Sequence, residues 1–244
     1  MPKSRGQPPK TDIERLQSKL WFTAVSLQSG MNASQLERFF LVRSDPANGG
    51  TKELSHDWLR YSSGKRLPRD TRGSNNSVVT VVDDAFPGTA QWIRSPLWTL
   101  LKNPELSSRE LIDLITQTHQ EIGKLFVYDE VPTVSAKALT ISVENWKYLA
   151  RIMSFEVFGI MLAYYRLRGI HGDHFNSICL KDCRRWLHYA HSRLPSIREH
   201  RDELVFVLQK FAPELGNLSY FGKEVPDRDP FAEMVMSSLG YDFE

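Results

Sequence analysis

Between Val143 and Leu167 the residues Trp146, Leu149, Ala150, Met153, Val157, Ile160, Met161 and Tyr164 keep a period near 3.6. They cover more than one stripe of a helix, so a helix here must be buried on several sides. The rest of the fold therefore has to wrap around it. Gly169 ends the stretch, and the spacing predicts one long central helix over residues 143–167.

The flanking sequence supplies helices to do the wrapping. Thr11-Asp-Ile-Glu14 is an S/T-x-x-E capping box at the head of Ile13, Leu16, Leu20, Ala24 and Leu27, with Gly30 to close the helix. Asn32 caps a second helix carrying Leu36, Phe39 and Phe40. A short helix over about 54–62 aligns Leu54, Trp58 and Tyr61, and Gly64 and Pro68 stop it. Val78-Val79-Thr80-Val81-Val82 has strand composition, yet Val78, Val82 and Phe86 hold a helical rhythm behind a capping Ser77, and no partner strand is evident. Helix is the expectation. Trp92, Ile93, Leu97, Trp98 and Leu101 form an aromatic-rich helical stretch broken at Pro96, and these tryptophans read as core or as a partner-binding anchor. Ser107-Ser-Arg-Glu110 opens a further helix. Residues 127–141 read as a mixed connection. Helices over about 174–192 (Phe175, Ile178, Leu187, Tyr189, Ala190), 197–212 and Phe231–Leu239 complete the chain.

With 41% apolar residues such a chain can bury a core. The expected fold is all-α. Its expected organisation is a flexible basic tail over 1–10, a helical domain over 11–104 and a larger helical bundle over 105–244. The boundary is placed where Pro104 meets the second capping box; one continuous bundle is the competing arrangement. Residues 1–75 carry 13 Lys and Arg against 7 Asp and Glu, and the remainder 18 against 22. The N-terminal part can thus offer a basic surface although the whole chain is only +2. No apolar run approaches the roughly 20 residues that span a bilayer, and the opening MPKSRGQPPK has no apolar core of a secretory signal. Cys179 and Cys183, four apart on a helix, fit reduced thiols, so a cytoplasmic protein without membrane contact is expected.

Tyr61, Gly64, Lys65, Arg66 and Pro68 carry the one functional lead. Their spacing resembles the end of the recognition helix in Cro/XRE-type helix-turn-helix repressors: an aromatic residue, a glycine three later, basic residues, then a proline. The resemblance implies an N-terminal helix-turn-helix-like region that binds DNA. The aromatic residue would anchor the helix, the glycine would end it, and the cations would face phosphates. Arg60, Lys65, Arg66, Arg69 and Arg72 would be the phosphate contacts, with His56 and Arg60 near base edges. The segment departs from the family in the eight residues between Pro68 and Ser77, and in the distance from the preceding helix.

Arg184, Arg185, Arg193, Arg198 and Arg201, interleaved with Trp186 and Tyr189, form a second basic cluster suited to nucleic acid or to an acidic protein. His171, His174, Cys179, Cys183, His188 and His191 include zinc-ligand types. At 100° per residue, however, His188 and His191 point well away from Cys179, so no metal is expected. Asp173 beside His174 reads as a helix cap. No nucleophile elbow and no phosphate-binding glycine loop occurs. No cofactor is expected either. The expectation is a non-enzymatic DNA-associated regulator or accessory protein that also meets a protein partner or a second copy of itself. The alternative is a helical adaptor in a multi-protein complex. A place in prophage or defence systems suits the first but has no residue behind it.

Overall fold

Thr11 opens the first helix as its box requires: its hydroxyl accepts the Glu14 N–H, and the Glu14 carboxylate accepts the Thr11 N–H, each at 3.2 Å. In this computed structural model, which describes residues 10–44, 56–71, 77–130, 137–170 and 175–218, the chain is predominantly α-helical. Helix α1 (Asp12–Ser29) ends at Gly30 with φ 68°. Asn32 and Gln35 then cap α2 (Ala33–Ser44) reciprocally, at 2.9 and 3.0 Å. The short α3 (Asp57–Ser62) and α4 (Val78–Ala85) follow. The valine run is helical, as its rhythm requires, with Ser77 accepting the Thr80 N–H at 3.1 Å.

Pro96 separates α5 (Gln91–Arg94) from α6 (Pro96–Lys102). Helix α7 (Ser108–Thr118) begins at the second capping box, and α8 (Gln120–Gly123) is a single turn. The expected mixed connection holds an antiparallel hairpin, β1 (Phe126–Glu130) with β2 (Lys137–Ile141), in the register Phe126↔Ile141 to Glu130↔Lys137. Phe126 and Leu139 turn inward from it.

The expected long central helix is two helices, α9 (Val143–Arg151) and α10 (Phe155–Ile170). Ile152 between them is extended, with ψ 113°, and its carbonyl accepts the Trp186 indole N–H at 2.8 Å. The Ser154 carbonyl takes the first N–H of the new helix, from Phe158 at 3.1 Å, and its hydroxyl donates to Gln91 Oε1 at 2.8 Å. Helix α10 is the buried centre: every residue from Val157 to Tyr164 is buried. It packs against α5, α6, α7 and α11 (Phe175–Arg193). Gly159 permits the α6 crossing, since a Cβ there would lie 2.5 Å from the Leu97 backbone nitrogen. Trp92 stacks on Phe155 at 4.9 Å and Trp98 donates to the Trp92 carbonyl at 2.7 Å, so both tryptophans are core.

The helix expected over 197–212 is likewise divided, into α12 (Pro195–Glu199) and α13 (Arg201–Phe211), and a 3-10 turn (Pro213–Leu215) follows. Helix α1 lies against α12 and α13, and one buried apolar cluster extends from Ile13 to Leu218. The expected boundary at 104/105 falls between α6 and α7, and this cluster continues across it. The helix expected over 231–239 lies outside the described residues. Among the described residues no helix is long and apolar enough to cross a membrane. Two residues expected in the apolar stripe of α11, Ile178 and Tyr189, instead face solvent.

Candidate nucleic-acid interface

Helix α3 is only six residues long, too short to be stable on its own propensity. Tertiary contacts hold it. Trp58 is stacked on both sides, on Trp21 of α1 at 5.5 Å and on Phe40 of α2 at 5.3 Å. Tyr61 meets the edges of Trp21 and Trp58 at 5.5 and 5.9 Å. The carboxylate of buried Glu37 accepts the Trp58 N–H at 3.1 Å, satisfying an otherwise orphan donor in the first turn. Tyr61 is thus a core anchor. Its phenol is pushed up to about 12, first by desolvation and then by Asp57 and Glu37, with Arg66 opposing.

The helix closes on a Schellman motif. Lys65 N–H reaches the Arg60 carbonyl at 2.9 Å, and Gly64 N–H reaches the Tyr61 carbonyl at 3.0 Å, with Gly64 at φ 68°. The turn is seated directly on α1. A Cβ at Gly64 would lie 2.9 Å from the Arg15 carbonyl oxygen and 3.1 Å from its Cα. The buried Ser18 hydroxyl is within bonding distance of the Tyr61 carbonyl, at 3.0 Å, and of the Arg66 carbonyl, at 2.6 Å. Past buried Pro68 the chain is tied down again. Asp70 accepts from Arg94 of α5 at 2.9 Å, and that guanidinium also donates to Thr80 of α4 at 2.8 Å. The described part of the turn between α3 and α4, residues 63–71, is therefore braced at both ends.

His56, Arg60, Lys65, Arg66 and Arg69 are all exposed around this turn, and Arg72 lies outside the described residues. Their charges are not equally available. Asp57 pairs with Arg66 and, at 3.5 Å, with Arg60. His56 has φ 55°, a left-handed conformation otherwise occupied by glycines among the described residues, and its side chain caps nothing. Arg15 joins these residues from α1. It is exposed, and its Cβ would lie 3.1 Å from a Cβ built at Gly64. No local pattern signals it, because the approach joins residues 49 positions apart.

The second cluster is dispersed. Arg184 donates to the Leu215 and Glu214 carbonyls, at 2.8 and 3.2 Å, and so braces the 3-10 turn. Arg185 pairs with Asp182 at 3.2 Å, and Arg201 pairs with Asp202. The Arg193 guanidinium lies 5.9 Å from the Tyr189 ring centroid, and Arg198 is exposed. His191 is held below its usual range by desolvation and by Arg201, Arg198 and His188. Helix α1 separates this region from the first. Its Ser18 faces the α3 turn, while Lys19 pairs with Glu203 at 2.8 Å and Thr23 bonds His200 at 2.8 Å on the other flank.

Cys179 and Cys183 are buried and unbridged. Burial pushes the first thiol up to about 12 and the second well above its usual value. Thiols so placed are poor metal ligands and poor nucleophiles. Among the described residues no three His, Cys, Asp or Glu gather around a common point; His171, Asp173 and His174 are outside them. A groove of about 640 Å³ runs between α6 and α7, lined by Lys102, Glu105, Glu110, Asp113 and Gln117 among others. Three of its polar groups have structural partners: Lys102 reaches Gln17, Glu110 closes the capping box, and Asp113 accepts from Gln117. No protein-family model, no curated protein and no solved structure matches the chain.

Proposed function

We propose that this chain is a non-enzymatic, DNA-associated regulator or accessory protein that holds the phosphate backbone on the turn between α3 and α4. The observation that carries this reading is the bracing of that turn. Ser18, Gly64 on Arg15, and Arg94 on Asp70 fix its backbone, so the exposed cations need little further ordering on binding. Lys65, Arg69 and Arg15 supply the charge, and Arg66 and Arg60 share Asp57 beside them. Such contacts fix position on a duplex and carry no sequence information by themselves.

Duplex binding followed by fluorescence anisotropy over a salt series tests the reading. Each phosphate contact contributes about −0.9 to the slope of log K against log salt. Lys65→Glu with Arg69→Glu is therefore expected to weaken binding and to flatten the slope by about 2. Binding that is unchanged and insensitive to salt refutes it. A second reading, a helical adaptor with no nucleic-acid role, draws on the shared Asp57 and on Leu59, which is 49% exposed beside Arg60. That apolar side chain suits a protein surface better than a phosphate.

A further inference from the structure

Helix α11 holds four Lys and Arg against a single acid, Asp182. Its inner face is apolar, with Cys179, Cys183, Trp186, Leu187 and Ala190 all buried. Asp182 is occupied, accepting the Trp146 indole N–H at 2.8 Å and pairing with Arg185 at 3.2 Å. Along the solvent side Lys181, Arg185, Tyr189 and Arg193 follow one another every fourth residue. They form an inclined row with a step of about 6 Å at 1.5 Å per residue, which winds about 40° around the helix at each step, so a strand on it follows the helix surface rather than one flat face. That step is close to the separation of neighbouring phosphates along a nucleic-acid strand.

Within this row of cations Tyr189 is 43% exposed. The Arg193 guanidinium lies 5.9 Å from its ring centroid, and the His188 ring meets it at 5.7 Å, tilted by 64°. The helical period puts an aromatic residue in the middle of this basic row, outside the buried apolar cluster. We propose that this face of α11 binds single-stranded nucleic acid, with phosphates on Lys181, Arg185 and Arg193 and one base stacked on Tyr189. The chemistry is that of a stacking platform flanked by cations, tolerant of sequence because every base has a π-face. It differs from the α3–α4 turn, which lies on the other flank of α1 and offers cations without an exposed aromatic ring. The proposal stands independently of duplex binding there.

The test is anisotropy of a fluorescein-labelled oligo(dT) 12-mer with the whole chain. Tyr189→Ala is expected to weaken binding roughly tenfold, the scale of one stacked base. Tyr189→Trp is expected to preserve or tighten it. Lys181 and Arg193 as full phosphate contacts predict a salt slope of about −1.4, from about −0.7 per contact on a single strand, with Arg185 shared with Asp182. In the background of Lys65→Glu with Arg69→Glu, Tyr189→Ala is expected to weaken oligo(dT) binding by the same roughly tenfold factor, because the stacked base lies on a different surface; loss of that factor there overturns the proposal. If Tyr189→Ala binds as tightly as the parent, or Tyr189→Trp as poorly as Tyr189→Ala, stacking is not the source and the proposal is overturned. An acidic peptide that displaces the oligonucleotide equally well from the parent and from Tyr189→Ala also overturns it, since that behaviour belongs to an acidic protein partner.

Discussion

Replacing Gly64 with alanine should cost the fold more than the same change at Gly30, although both glycines sit at φ 68°. A left-handed conformation costs an L-residue roughly 1–2 kcal/mol, so that share is common to both sites. Space separates them. A Cβ at Gly30 meets nothing within 4 Å, whereas at Gly64 it lies 2.9 Å from the Arg15 carbonyl oxygen and 3.1 Å from Arg15 Cα and Cβ. Those are mostly backbone atoms of an 18-residue helix, which cannot rotate out of the way as a flexible side chain would. The α3 turn has to retreat instead, and overpacking of this kind costs about 1–3 kcal/mol. The expected losses are therefore about 1–2 kcal/mol for Gly30→Ala and about 2–5 kcal/mol for Gly64→Ala. Urea unfolding followed by far-ultraviolet circular dichroism measures both, with equal m-values required for the comparison. Equal losses at the two sites would refute the claim that the turn is seated on the backbone of α1. The retreat should also shift Trp58 and Tyr61 against Trp21, so the intrinsic tryptophan fluorescence of Gly64→Ala should change while that of Gly30→Ala does not.

Ser18→Ala removes the hydroxyl that reaches the Arg66 and Tyr61 carbonyls; the Tyr61 carbonyl keeps the Gly64 N–H, so the loss of one hydrogen bond, about 0.5–1.5 kcal/mol, is expected in the same unfolding assay. A neutral result would mean that other groups satisfy those carbonyls. Alkaline pH should destabilise the chain. Cys179 and Tyr61 are both pushed up to about 12 in the folded state. Unfolding therefore releases protons once the pH passes the ordinary thiol and phenol ranges, near 8.5 and 10. The stability that these groups contribute is complete below those values and is lost as pH rises toward 12. Tyr61→Phe should flatten the fall above pH 10, and an unaltered pH profile for that variant counts against burial of the phenol. An aromatic disulfide reagent should leave both thiols untouched in the native state and titrate both after unfolding; fast native labelling contradicts their burial.

Local chemistry wrote the helix ends into the sequence. The boxes at Thr11 and Ser107, the left-handed closures at Gly30 and Gly64, the Ser77 cap that makes the valine run helical and the Pro96 break each involve partners a few residues apart. A short segment therefore contains every atom needed to form them. The all-α class follows from the same periodicities. Where partners are distant, tertiary structure decided. Ile152 leaves the helical pattern to hold the indole of Trp186, 34 residues on, and the hairpin exists only because Phe126 finds Ile141. The same holds for the candidate site. Its basic residues could be read in order, but the claim of Asp57 on Arg60 and Arg66, the arrival of Arg15 and the outward turn of Tyr189 depend on which helix packs where. The capping boxes are local, whereas burial, ion pairing and a cap such as that of Glu37 on Trp58 are properties of the assembled surface; periodicity can place a residue on a face but cannot say what will cover it.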